Sequence, residues 1–215
     1  GMIISRGRGY VFVHIPKTGG TAMALALEGR AKKDDILIGD TPKAKQRKHR
    51  LAELAPKGRL WKHSTMADID GILSAEELDA MFCFTLVRNP WDRMVSYYHW
   101  LRAQKFEHPA VALAQASEFE AFVRHPETVR TMHASPNRHY MTDARGIERC
   151  DSYVRLEHLG QDLRDLEAHL GFEVKLGRIN VSKRAQDYRQ YYSESLAEFV
   201  HELCRMDVER FKYAF

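Results

Sequence analysis

Cysteine is scarce in this sequence and badly placed for structural chemistry. Cys83, Cys150 and Cys204 are widely spaced, form no C-x-x-C pair and leave one residue over in any disulfide scheme, which argues against a disulfide-built fold or a zinc ribbon. A reducing compartment suits such usage, so a cytoplasmic location is expected. Cys83 lies in an apolar run and Cys204 on the apolar side of a helical pattern, positions of core thiols rather than nucleophiles. No run of eighteen apolar residues is present, and the N-terminus lacks the basic, apolar and small-residue succession of a secretory signal, so a soluble chain without a transmembrane segment is expected. Gly1 ahead of Met2 reads as a remnant of tag removal. Neither charge sign dominates: 33 Lys and Arg stand against 29 Asp and Glu, a net charge of +4 that suits an anionic ligand without calling for nucleic acid. Internal repeats, low-complexity tracts and a linker are also missing. With 215 residues and 44% apolar content, one domain spanning 1–215 is the expectation, and oligomeric state is not legible.

What is present is an alternation of strands and helices. Tyr10 to Ile15 reads as a buried strand that runs into Pro16 and the Gly19-Gly20 pair, followed by a helix from Thr21 that closes at Gly29. Phe82 to Val87 is a second strand, preceded by a Ser74-x-x-Glu77 capping box and broken by Arg88-Asn89-Pro90. Trp91, Val95, Tyr98 and Leu101 then follow at helical spacing, with Pro90 in the first turn. Ser117 with Glu120 forms another capping box; Leu159, Leu163, Leu166 and Leu170 form a stripe that ends at Gly171; Leu196, Phe199, Val200 and Leu203 form a third. Short strands are expected at Ile36 to Ile38, Leu60 to Lys62 and Tyr153 to Leu156. This pattern predicts an α/β fold with a central, mainly parallel sheet flanked by helices. The basic stretch Lys43 to Arg50 is either a solvated face or the rim of an anion site.

The segment His14-Ile-Pro-Lys-Thr-Gly-Gly-Thr21 has the makings of an anion loop. A glycine turn between a buried strand and a helix brings backbone N–H groups together at the positive helix end. Gly19 and Gly20 allow close approach, Lys17 adds a full charge, and Thr18 and Thr21 add hydroxyl donors. The lysine precedes the glycines, which separates the pattern from the G-x-x-x-x-G-K-[ST] loop of nucleoside triphosphatases.

His14 to Thr21 resembles the 5′-phosphosulfate loop of the sulfotransferases, particularly the soluble bacterial relatives of the carbohydrate group that includes heparan sulfate 2-O-sulfotransferase. Phe84-Thr-Leu-Val-Arg-Asn-Pro-Trp-Asp-Arg-Met-Val-Ser-Tyr-Tyr98 resembles the same family's 3′-phosphate segment, with Arg88 and Ser96 in the phosphate-holding positions. Tyr153 to Leu159, Ile179 to Arg184 and Asp207 to Phe215 are similar to later segments of the family. The resemblance implies a three-layer, P-loop-like fold and transfer of a sulfuryl group from 3′-phosphoadenosine 5′-phosphosulfate (PAPS) to an acceptor hydroxyl, with 3′-phosphoadenosine 5′-phosphate (PAP) as product. The acceptor it favours is a glycan or another hydroxyl-bearing small molecule.

Sulfuryl transfer needs an in-line nucleophile, a stabilised leaving phosphate and neutralised peripheral oxygens, and by this logic requires no metal. Lys17 is the residue expected to stabilise charge on the bridging oxygen, and Thr18, Gly19, Gly20 and Thr21 to hold the phosphosulfate. Arg88 and Ser96 would take the 3′-phosphate, while Arg93 and Asp92 read as surface or packing charges. Ser182, Lys183 and Arg184 would close over the adenosine phosphates. His63, after the Leu60 to Lys62 segment, matches the family's base by position, with His99 or a carboxylate as the alternatives, while His14 belongs to the loop and orients it from the strand. A nucleotide-dependent, kinase-like phosphotransferase and a non-catalytic anion-binding module remain the competing readings.

Overall fold

The computed structural model describes residues 1–177 and 188–215, and the chain divides into two units, Gly1–Val87 with Asn137–Ile179 and Arg88–Pro136 with Asn180–Phe215. Ser182, Lys183 and Arg184 lie outside the described residues.

The first unit holds the sheet. Its described strands are β1 (Met2–Ser5), β2 (Tyr10–Val13), β3 (Ile36–Ile38), β4 (Phe82–Val87) and β5 (Ser152–Arg155), in the order β3-β1-β2-β4-β5. β2, β4 and β5 run parallel, with Val13 opposite Thr85 and Val87 opposite Arg155. β1 pairs antiparallel with both β2 and β3. Only Arg6 to Gly9 separate β1 from β2, too short for a parallel crossover, which takes about a dozen residues; Gly9 turns the chain at a φ of 70°. The α/β expectation holds, and the parallel part of the sheet stops at β2.

Strand alternation gives the sheet two apolar faces. On one, Tyr10 and Phe12 pack on Phe84 at ring distances of 5.9 and 5.2 Å. His169 of helix α10 (Arg164–Leu170) stacks on Phe82 at 5.0 Å on this same face. The opposite face gathers Ile4, Val11, Val13 and Cys83 with Met66 and with Met141 of helix α8 (Asn137–Met141). Burial there pushes the Cys83 thiol up to about 12, which suits a core thiol. The leucine stripe is two short helices, α9 (Leu159–Asp162) and α10, and Gly171 ends the second at a φ of 80°.

Two local expectations need correction. Leu60 to Lys62 is no strand: the Ser64 hydroxyl accepts from the Trp61 N–H at 2.9 Å and donates to the Arg59 carbonyl at 2.6 Å, which bends the segment into a turn. Ser117 does not open a helix. It ends helix α5 (Pro109–Ala116), and helix α6 (Phe119–Arg124) starts after Glu118 without a side-chain cap.

The basic stretch forms helix α2 (Pro42–Arg47), capped by Thr41, and a 3-10 turn over Lys48–Glu53. Three of its cations serve the backbone: Lys43 donates to the Glu28 carbonyl, Arg47 to those of Lys32 and Asp35, and Arg50 to that of Lys33.

The second unit is helical. Helix α4 (Pro90–Arg102) begins with Pro90 and is capped by Asn89, whose side-chain oxygen accepts from the Trp91 and Asp92 N–H groups. Trp91, Met94, Tyr98 and Leu101 bury one stripe of it against Phe122, Val200 and their neighbours. Asn89 also donates to the Ala214 carbonyl at 3.2 Å, which ties the start of α4 to the C-terminal segment.

Candidate functional site

The anion loop of the first unit lies between β2 and helix α1 (Gly20–Glu28). Two left-handed residues, separated by Thr18, shape it. Lys17 has a φ of 62° and Gly19 one of 85°; the latter is glycine's ordinary territory, whereas the former strains a residue with a Cβ. Thr18, fully buried between them, donates its hydroxyl to the Ile15 carbonyl at 2.8 Å and holds the turn closed.

Gly19 is required by its backbone conformation and Gly20 by close packing. A Cβ on Gly19 would stand 2.8 Å from a methyl group of Leu156, just beyond β5, and one on Gly20 would stand 2.1 Å from the His14 ring. Glycine at the N-cap offers α1 no side-chain acceptor. The first helical backbone bond runs from Met23 to Gly19, so the N–H groups of Gly20, Thr21 and Ala22 have no acceptor within the helix. These donors, with Lys17 in the same loop, fit an anionic phosphosulfate.

His63 sits beside this loop. Its Nδ1 donates to the His14 carbonyl at 2.8 Å, and the two rings meet edge to face at 4.7 Å. A carbonyl only accepts, so the neutral imidazole carries its proton on Nδ1 and its lone pair on Nε2. Nε2 is therefore the atom equipped to take a proton. The strand thought to place His63 is replaced by the Ser64-pinned turn, and the anion loop itself supplies the orienting contact.

In the second unit Arg88 and Asp92 are both buried, at 5% and 3% exposure. Arg88 Nε and Nη2 each donate to Asp92 Oδ2 at 2.9 Å. Ser96, one helical turn beyond Asp92, is half-buried on the same side of α4. His99 is exposed and its Nε2 lies 2.8 Å from the Tyr191 hydroxyl.

A protein-family model described as the sulfotransferase family matches residues 1–214. The chain belongs to the sulfotransferase family. No match is found among the curated proteins. A solved structure similar to this sulfotransferase is that of mouse sulfotransferase SULT7A1 complexed with PAP, at 13% identity and a TM-score of 0.43, covering 89% of this chain and 81% of that one. No helix among the described residues of this sulfotransferase is long and apolar enough to cross a membrane.

Three participants escaped the sequence reading. Asp92 looks like an ordinary acidic residue in a first helical turn, and Leu156 like core, although each touches a candidate site residue. Ser64 is fully buried and shapes the turn that carries His63. His14, named for the loop, has a measurable consequence in this sulfotransferase. Burial first, then the amino terminus, His63, Lys62 and Lys17, hold its pKa well below 6.5. The unfolded chain thus takes up a proton near pH 6.5 that the folded protein refuses, and stability falls as pH drops below that value, by up to about 1.4 kcal/mol per pH unit. Urea midpoints measured between pH 7 and 5 should show this slope, flattened in His14→Gln; an unchanged slope in the variant assigns it to other groups.

Proposed function

We propose that this sulfotransferase moves the sulfuryl group of PAPS to a hydroxyl of a carbohydrate by in-line displacement, as a soluble, bacterial-type member of the heparan sulfate 2-O-sulfotransferase-like group. The observation that carries the reading is the loop after β2, where Lys17 and the N–H groups of the first turn of α1, which have no acceptor within the helix, share one glycine turn at the end of a parallel strand.

PAPS supplies the sulfuryl group, and the chain supplies the rest. Thr18, Gly19, Gly20 and Thr21 hold the phosphosulfate, and Lys17 offsets negative charge on the bridging oxygen as its bond to sulfur breaks. Arg88 and Ser96 hold the 3′-phosphate. The Asp92 carboxylate engages two guanidinium donors of Arg88 and fixes its plane. Ser182, Lys183 and Arg184 cover the adenosine phosphates. His63 Nε2 takes the acceptor proton while the His14 carbonyl keeps Nδ1 protonated.

Calorimetry tests the donor half of this reading. PAP is expected to bind without magnesium, and Arg88→Ala to weaken it about a hundredfold, the magnitude of a lost charge-assisted phosphate contact. Binding of ATP only with magnesium, and none of PAP, would sink the proposal.

A further inference from the structure

We infer that the cavity along the outer edge of β3 is a second anion site, remote from the donor loop, that takes a compact molecule bearing several phosphate or sulfate groups. Its occupancy does not depend on the proposed transfer reaction.

Residues 30–50 carry eight Lys and Arg against three Asp, a surplus larger than the net +4 of the whole chain. Two of those carboxylates are already engaged. Asp35 is buried, and its oxygens accept from the Ser5 hydroxyl at 2.7 Å and the Lys32 N–H at 2.9 Å; Asp40 pairs with Lys62 at 3.1 Å. Among the described residues no carboxylate lies within ion-pair distance of any of the eight cations. Like charge gathered in this way opposes the compact state by self-repulsion, and a bound anion offsets it.

Beside β3 part of this charge lines a cavity of about 320 Å³, at the low end of the range that holds small molecules. β3, the edge strand of the sheet, and the 3-10 turn Lys48–Glu53 supply its walls. Ile36, Leu51 and Leu54 form an apolar side that packs on the core. Lys33, Arg47 and Arg50 add three cations, and they outnumber the two exposed carboxylates that share the lining, Asp34 and Glu53. Arg6 also stands in the wall, with its charge offset by Glu77 at 2.6 Å.

The two guanidiniums are anchored at one corner and open at the other. Arg47 Nη1 donates to the Lys32 and Asp35 carbonyls at 3.0 and 2.8 Å, and Arg50 Nη1 to the Lys33 carbonyl at 2.8 Å. Nε and Nη2 of both have no acceptor among the described residues, and that edge of a guanidinium takes an oxyanion bidentately. Anchoring before binding lowers the entropy lost on binding. A recess selects by shape as well: oxyanion groups on a compact molecule enter it, whereas a bilayer or a duplex meets only its mouth. The cavity lies beyond the far end of α1 from the donor loop. The nine residues of that helix span about 13 Å at 1.5 Å each, so both sites can be filled together.

Sucrose octasulfate and myo-inositol hexakisphosphate, with neutral sucrose as control, test the site by calorimetry. At least one of the two polyanions should bind, sucrose should not, and the tighter of the two tells whether sulfate or phosphate is the preferred source. Arg50→Gln and Lys33→Gln, both exposed, should together weaken binding at least about tenfold, the scale of a lost charge-assisted hydrogen bond. Glu53→Gln should strengthen it about twofold by removing a like charge. Arg164→Gln, which deletes an exposed cation of α10, and Lys17→Ala, which disarms the donor loop, should leave it unchanged. Thermal midpoints of the surface variants should stay close to wild type. The inference is overturned by absence of polyanion binding at millimolar concentration, by binding that survives the double variant, by equal loss in Arg164→Gln or Lys17→Ala, or by association only with phosphatidylserine vesicles or duplex DNA.

Discussion

Lys17→Ala is expected to reduce sulfuryl transfer by about two to three orders of magnitude, the usual cost of deleting one preorganised group from a developing negative charge. The fall should be in kcat, because the charge on the bridging oxygen grows only as the bond to sulfur breaks, while loop N–H groups still engage the bound donor. The backbone supplies a control. At a φ of 62° a residue with a Cβ carries about 1–2 kcal/mol of strain that glycine escapes. Lys17→Gly should therefore lose activity as fully as Lys17→Ala while unfolding at higher denaturant. Transfer at the wild-type rate in either purified variant would remove Lys17 from the mechanism; equal stability of the two variants would mean that the loop relaxes when the ammonium is lost.

Gly20→Ala should be nearly as damaging by another route. The added methyl group would stand 2.1, 2.4 and 2.7 Å from three atoms of the His14 ring, and that ring is buried, with His63 against its edge. The ring has to move or α1 has to shift, and overpacking of this kind costs about 1–3 kcal/mol. Because the His14 carbonyl orients His63, the disturbance reaches the candidate base as well, and a loss of activity larger than the loss of stability is expected. A double-mutant cycle isolates the cause: His14→Ala opens the space, so Gly20→Ala in that background should cost little stability. Additive stability losses in the double variant would show that the methyl group acts elsewhere.

How much of this was legible in the sequence depended on whether local chemistry or distant packing decided each element. β4 and the start of α4 were readable because an apolar run meets Asn89 and Pro90, whose capping and fixed φ act within a few residues. The Ser74 and Glu77 capping box was readable for the same reason. β1 was not, since Met2 to Ser5 has neither alternation nor length, and its pairing depends on β2 and β3. Leu60 to Lys62 has strand-like composition, but one buried hydroxyl three residues from Trp61 redirects its backbone. In the site, the glycine loop was visible as a motif. The reasons for its glycines were not, because Leu156 and the His14 ring come against them only in the folded chain. The burial of Asp92 was hidden likewise, since nothing in Trp91-Asp92-Arg93 distinguishes a carboxylate that Arg88 will hold.

The strands leave the ribosome in chain order, which differs from their order in the sheet. By Ile38 the nascent chain contains β1, β2, the anion loop, α1 and β3, and β1 can already join its two neighbours. The other edge of β2 waits for β4, which is complete only at Val87. Through that interval of synthesis a fully apolar strand, Tyr10 to Val13, offers an open pairing edge, the kind of edge that recruits other chains or a chaperone. Substitutions that delay β4 would thus be felt first as poor yield of soluble protein, before any change in the donor loop could be assayed.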